Sequence, residues 1–578
     1  MNNWAIGEVE LTSPSYIEFS VKPNDISDRL HDGIVQSIRG VNDFVYCNIS
    51  WNITVIFRVS KIRNQGYDGN LSPNSLDTIN RMIFTAEPMG TVVDSKFKPG
   101  VLRSPMVGMP IYGADEKVLS SLFSQIGDHL ISLGPINNYP KVKPELNLSK
   151  ILTSHIAILG NTGSGKSTTL RVLLDRINSV KKHLKRSARF IVFDVHGDYS
   201  NLGFAKHLYI NKMHLPLGKL TVDDWESALL PSEKSQKPVL RRAIQIAHCN
   251  LSGQRFIYAI LAKMAVADTT QESFVTLKRA VTKWYEKIYP NDEAALNKWI
   301  QHFTEIENQE SLMNKLDQVL DGTSFATIDD VLMEKSFYKD DISLTDFKES
   351  FEITFGEEEV QGDRRARINT ETMMSRFRNL DSRYGGPKGI LNRMNGAEIS
   401  LNQQDLKGSK FWIVDLTGLD DDALRLVSNY LARSVFENSL HFSNQHRNKI
   451  PFNYLYLDEA HRYVLQSQGV ESSIFERIAR EGRKFNVYIG IISQIPSELS
   501  KIVLSQTGAF FIHRIQNSLD LNYILANVPS ATNDLVSRLP SLPHGTALLS
   551  GNAFDIPFEL NVEAGEYGEA SKSISPIN

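Results

Sequence analysis

The chain has 578 residues, 41% of them hydrophobic, a length that allows roughly three or four domains with ordinary cores. Lys and Arg number 63 against 66 Asp and Glu, a net charge of −3, which excludes a surface built as a whole to coat nucleic acid. A basic pore stays compatible with that balance, because charges focused in a narrow channel hold a phosphate backbone while the outside stays neutral. Two cysteines, Cys47 and Cys249, stand far apart and in no metal-ligand spacing, so neither a disulfide framework nor a zinc site is expected. The start, Met1-Asn2-Asn3-Trp4, has no leader pattern, and no apolar run approaches ~18 residues, so a cytoplasmic protein with no membrane span is expected.

In chain order, residues 1–110 carry short β-rich runs at Tyr16 to Val21, Val45 to Ile49, Ile53 to Val59 and Arg81 to Ala86. Turn clusters at Pro23-Asn24-Asp25 and Gly66-Tyr67-Asp68-Gly69-Asn70 separate them, as in a small barrel or sandwich. Residues 111–215 enter an α/β core through strands at 155–159 and 190–194. Between these strands, Gly160-Asn161-Thr162-Gly163-Ser164-Gly165-Lys166-Ser167 fits GxxxxGK[ST], directly after the apolar run His155-Ile156-Ala157-Ile158-Leu159. Glycines there let backbone N–H groups approach phosphates, Lys166 reaches the β and γ oxygens, and the Ser167 hydroxyl can hold Mg²⁺. Thr168 opens a helix-compatible run to Leu174 whose N-terminus faces the anion. The expected ligand is ATP with Mg²⁺.

Lys181, Lys182, Lys185, Arg186 and Arg189 read as a solvated basic face. Residues 216–400 are helix-rich, with Phe256, Ile260, Leu261 and Met264 at helical spacing, and read as an insertion. Within it Gly356-Glu357-Glu358-Glu359 reads as a solvated loop. Arg364, Arg365, Arg367, Arg376 and Arg378 fit a DNA-facing loop or surface ion pairs equally well.

The core resumes over residues 401–560 with Phe411 to Asp415, Tyr454 to Leu457, Val487 to Ser493 and Ala509 to Ile512. Runs of this kind, separated by helix-compatible stretches, imply a mainly parallel sheet. A phosphate loop needs a metal-holding carboxylate and a base for water. Asp458 and Glu459, closing the second of these runs, supply them, with Asp458 toward the metal and Glu459 toward the attacking water. Gln494, after the third, suits orienting water or sensing the γ-phosphate, and could equally be a capping residue in a turn. Arg480 and Arg483 lie on one side of a helical segment; one of them could stabilise transition-state charge, in cis or across a subunit boundary, against the plainer reading of a Glu476–Arg480 ion pair. The polar tail 561–578 is expected to be mobile alone.

Taken together, the phosphate loop, Phe193-Asp194-Val195-His196-Gly197-Asp198-Tyr199, Leu457-Asp458-Glu459-Ala460-His461 and the block from Arg480-Glu481-Gly482-Arg483-Lys484 to Ser493-Gln494 resemble the HerA family of hexameric ATPases, in the HerA/FtsK branch of P-loop enzymes. Ile6-Gly7-Glu8-Val9 is similar to the opening of that family's N-terminal barrel, and Leu539-Pro540-Ser541-Leu542-Pro543-His544-Gly545-Thr546-Ala547 to its closing segment. Asp198 stands where Glu is expected at least as often, and a strand-end acidic turn is the simpler reading of Asp194 and Asp198. The resemblance implies a RecA-like core, a barrel serving assembly and partner docking, and a homo-hexamer. It also implies a motor that translocates on or unwinds double-stranded DNA through a central pore, with a NurA-like partner nuclease. An alternative is an ATP-regulated ring scaffold that activates an anti-phage effector, such as a nuclease or a Sir2-like NADase.

Overall fold

The computed structural model describes the chain except residues 1–4, 23–28, 32–33, 37–39, 65–80, 95, 102, 186, 268–273, 291–305, 364, 394–395, 402–408, 446–449, 467–471 and 566–578. Both expected barrel turn clusters, Arg186, Arg364 and most of the expected tail lie outside the described residues.

The N-terminal unit is a closed barrel. Strands β1 (Gly7–Thr12), β2 (Ile17–Val21), β5 (Phe44–Ser50), β6 (Ile53–Asn64), β7 (Met82–Val93) and β9 (Pro110–Gly113) run in the spatial order β2-β1-β9-β5-β6-β7, and β7 pairs back onto β2. Closure removes free sheet edges. β8 (Lys96–Pro99) hangs on β7, and β3 (Arg29–His31) with β4 (Ile34–Gln36) form a separate hairpin. Alternation along the strands points Val9, Phe19, Val45, Val55, Phe57, Phe84 and Ile111 inward, all almost fully buried. The small pair β10 (Leu130–Ile131) and β11 (Leu146–Asn147) leads into the core.

The core is a nine-stranded sheet of β12 (His155–Leu159), β13 (Arg189–Asp194), β14 (Lys206–Tyr209), β15 (Phe411–Asp415), β16 (Asn453–Leu457), β17 (Val487–Ser493), β18 (Thr507–Ile512), β19 (Thr546–Ser550) and β20 (Phe558–Asn561). Their spatial order is β14-β15-β13-β16-β17-β12-β18-β19-β20. β14 through β18 pair in parallel, and β19 and β20 add an antiparallel edge. The central strands read as near-continuous apolar runs because both faces are covered: all residues of β12, β16 and β17 are buried. Crossovers between parallel strands bring every loop that follows a strand to one edge, so β12, β13, β16, β17 and β18 all deliver their next residues to the same rim.

Helices between β14 and β15, from Val222–Leu229 to Glu371–Tyr384, form the inserted helical region. Gly356 to Glu359 are not a loop. They continue the helix Leu344–Val360, where a Cβ on Gly356 would stand 2.6 Å from Trp284 Cζ2 and Glu357 takes two hydrogen bonds from Arg242. Arg367 and Arg378 pair with glutamates, and Arg376 donates to the Leu229 carbonyl at 2.9 Å. Arg189, grouped by sequence with a solvated face, is only 8% exposed inside β13.

Barrel and core touch through Arg538, which donates to Asn42 Oδ1 at 2.8 Å, and through Tyr139, whose hydroxyl donates to Asp43 at 2.9 Å. β20 is tied to the segment before β12: Asn561 and Glu563 donate to the carbonyls of Pro135 and Leu133 at 2.8 and 2.9 Å.

Candidate active site

The rim after β12 is the phosphate loop. Gly160 turns at φ 153° and Gly165 at φ 118°, values that L side chains rarely adopt. Space excludes a side chain at Gly160, where a Cβ would lie 2.6 Å from His513 Cβ, and is tight at Gly165, where one would lie 3.2 Å from Gly545 Cα. Asn161, Thr162, Gly163 and Ser164 form the arch, and Lys166, Ser167 and Thr168 open the helix Lys166–Ser179, whose N-terminus faces the loop. Lys166 is 7% exposed and donates to the Asn161 carbonyl at 3.0 Å. Burial lowers the affinity of its amine for a proton, and the charges of Glu459, Asp458 and Asp198 oppose that effect.

The acids arrive on the rim after β16, which lies in the sheet two strands from β12. Asp458 and Glu459 are 3% and 5% exposed. Asp458 Oδ2 and Glu459 Oε2 find no hydrogen-bond partner among the described residues. Burial pushes the Asp458 carboxyl well above the usual carboxylate range, the charges of Glu459, Asp194 and Asp198 add to the rise, and Lys166 opposes it. Such a carboxylate is primed for a cation. Glu459 sits at φ 48°, a left-handed conformation that turns its side chain away from the path of β16. The Tyr463 hydroxyl fixes this turn by donating to the Asp458 carbonyl at 2.8 Å.

Gln494, after β17, joins the two halves. Its amide nitrogen donates to Glu459 Oε1, and its amide oxygen accepts from the Thr162 hydroxyl. β17 lies between β16 and β12 in the sheet, so the residue that follows it falls between acid and phosphate loop. One hydrogen-bonded line thus runs from the arch of the loop to the acid.

Residues given no role in the site from sequence also stand here. Asp198 accepts the Ser167 hydroxyl at 2.7 Å, closer to the phosphate loop than a simple acidic turn would bring it. Asp194 builds the turn, its carboxylate taking the backbone N–H groups of Gly197, Asp198 and Tyr199 at 2.8, 3.1 and 3.1 Å. His461 Nδ1 lies 3.3 Å from both Glu459 Oε2 and Ser493 Oγ, and His196 Nε2 3.6 Å from Glu459 Oε1. The fully buried His513 bridges Thr169 Oγ1 and the Thr546 carbonyl, each at 2.9 Å. The motif Phe193-Asp194-Val195-His196-Gly197-Asp198-Tyr199 was the available signal for Asp198; nothing local marks His513.

Arg480 and Arg483 are not brought to this chain's own phosphate loop. Arg483 precedes β17, donates to the Gln506 carbonyl at 3.0 Å and acts electrostatically on His155 at the start of β12. That is the far end of a five-residue strand, about 13 Å from the loop at the usual rise. Arg480 donates to Ser472 Oγ at 2.8 Å, while the buried Glu476 caps its own helix with Ser473 and accepts the Ser500 hydroxyl at 2.6 Å.

A family profile described as "Helicase HerA, central domain" matches residues 131–435. The DNA double-strand break repair helicase HerA of Saccharolobus solfataricus is 25% identical over 472 residues, 80% of this chain and 74% of that one. The protein of the same name from Pyrococcus furiosus is 23% identical over 588 residues, 95% of this chain and 90% of that one. Among solved structures, VirB4 of Thermoanaerobacter pseudethanolicus superposes with a TM-score of 0.40 at 14% identity, over 77% of this chain and 99% of that one. The profile match over more than half of the chain, laid on a phosphate loop facing paired acids, identifies this protein as a member of the HerA helicase family and an ATP-hydrolysing enzyme.

Proposed function

We propose that this chain is one subunit of a homo-hexameric ring that hydrolyses ATP to translocate on or unwind double-stranded DNA in its central channel, together with a partner nuclease. The observation that carries the reading is the line Thr162–Gln494–Glu459, which couples the phosphate loop to a base. Duplex DNA as substrate is supported by the relatives named as DNA double-strand break repair helicases.

In this reading the arch 160–165 and Lys166 hold the β and γ phosphates, Glu459 takes the proton of the attacking water, and Gln494 fixes the direction of the Glu459 carboxylate. Ser167 Oγ and the partnerless, buried Asp458 Oδ2 suit a hard divalent cation, so these residues would hold Mg²⁺. When bound, Mg²⁺ supplies neutralisation of charge on the phosphate oxygens. Arg480 or Arg483, exposed at the opposite rim, serves the site of the neighbouring subunit. The barrel, residues 1–110, serves ring assembly and partner docking, and the ring works in the cytoplasm.

The test is phosphate release with and without duplex DNA, alongside strand displacement. Hydrolysis should rise with DNA, and K166A should abolish both activities. A ring whose hydrolysis ignores DNA, which shows no directional movement, and which keeps an effector complex after E459Q would replace the motor with an ATP-regulated scaffold for an anti-phage effector.

A further inference from the structure

Asp198, Asp458 and Glu459 all lie on one flank of the phosphate loop, delivered by β13 and β16, with Gln494 after β17 beside them. The other flank is built by β18 and β19, and it carries a cation. Asn161 N–H donates to the Arg514 carbonyl at 2.9 Å, directly after β18. The turn before β19 is sewn to the same loop: Gly545 N–H donates to the Ser164 carbonyl at 3.1 Å, and His544 Nδ1 lies 3.0 Å from the Gly163 carbonyl. A carbonyl only accepts, so Nδ1 carries the ring proton and Nε2 is left with a lone pair. That lone pair takes the Arg514 Nη2–H at 3.4 Å. No carboxylate pairs with Arg514 among the described residues, and its buried Nε has no hydrogen-bond partner. An arginine held against an anion cradle without a counter-charge is set up for an anionic ligand.

We infer that Arg514, aimed by His544, binds the nucleoside end of the nucleotide at its α-phosphate and ribose, and sets affinity for nucleotide over a single phosphate held in the loop. The direction follows from the layout. With Glu459 and Gln494 facing the γ-phosphate, a bound triphosphate leaves the loop on the β18 flank, where its α-phosphate and sugar meet Arg514. Gly163, at φ 70° with nothing within 4 Å of an added Cβ, leaves that lip open. His544 is a positioning residue: it touches Arg514 and the loop, and it orients the guanidinium.

This inference rests on the triphosphate-site reading above, and calorimetry separates the two. ADP and inorganic phosphate are titrated into the wild type, K166A, R514A, R514Q and H544A, each with its melting temperature recorded. R514A should weaken ADP by roughly ten- to a hundredfold, the range of a hydrogen bond to a charged group, and leave inorganic phosphate, which fills the loop without an α-phosphate or sugar, within about twofold. R514Q should behave similarly, and H544A should lose less. At saturating ATP, R514A should keep its kcat while KM rises. Equal loss of ADP and inorganic phosphate in R514A and R514Q would show that the arginine only braces the loop and would overturn the inference, as would unchanged ADP affinity. Failure of the wild type to bind either ligand more tightly than K166A does would instead sink the triphosphate site itself.

Discussion

Replacing Gln494 with Ala tests the line between phosphate loop and acid. Glu459 Oε1 is held by the Gln494 amide, and Oε2 has no hydrogen-bond partner among the described residues. The nearest imidazole, His461, has its pKa lowered, chiefly by burial, so at pH 8 it brings no charge to orient the carboxylate. A hydrogen bond to a charged group contributes about 1.5–3 kcal/mol, so Q494A should lower kcat by about 10- to 150-fold. T162V removes only a neutral bond to the far side of Gln494, worth about 1 kcal/mol, and should cost about fivefold. Because Gln494 orients the base, the loss should fall on kcat, with nucleotide affinity nearly unchanged. The assay is phosphate release at saturating ATP, with the affinity for a non-hydrolysable analogue measured separately. A kcat within twofold of wild type, or a loss appearing wholly as weaker nucleotide binding, would refute the reasoning.

Other outcomes follow from the same structure. His155 and His513 are fully buried, and burial depresses them to about 3 and about 4. The unfolded chain binds protons below about 6.5 that the folded one refuses, so stability is present at neutral pH and falls as pH drops through 6.5. By pH 5 the loss is about 2 kcal/mol per histidine; H155Q should remove about half of this pH dependence in urea unfolding, and a flat midpoint between pH 7 and 5 would contradict the assignment. Asp224 holds the buried Arg433 through contacts of 2.6, 2.9 and 3.2 Å. D224A should destabilise by about 3–5 kcal/mol, and the double variant D224A/R433M should recover part of it. A loss below about 1 kcal/mol in the single variant would show that Glu437, 2.8 Å from Arg433 Nη1, is enough to compensate the guanidinium. Finally, R480A/R483A subunits mixed with K166A subunits should regain hydrolysis, because intact arginines then meet intact phosphate loops. No recovery at any ratio, in rings proven mixed by native mass spectrometry, would exclude action across the boundary.

The parts of the site readable from sequence are those whose chemistry is contiguous. The phosphate loop spans eight successive residues, and each acid or amide closes an apolar run, so strand, turn and function share one local signal. What could not be read was set by strand order. Asp198 meets Ser167 because the turn after β13 reaches the same rim as the phosphate loop, and Arg514 and His544 meet the loop because β18 pairs with β12 and β19 with β18. No spacing in the chain encodes those neighbours. β14 escaped notice because it is a four-residue edge strand with no buried residue. The misread Gly356–Glu359 stretch shows the converse: its charge signals solvent, but its partner Arg242 lies 115 residues away.

The placement of β12 has a consequence for synthesis. Its two neighbours in the sheet, β17 and β18, leave the ribosome more than 300 residues after it, and β20 then pins the segment ahead of it. A nascent polypeptide therefore carries its glycine arch long before the walls on either side exist. A product interrupted before Asp458 and Glu459 lacks both acids of the site, so the loop is made well ahead of the residues that arm it.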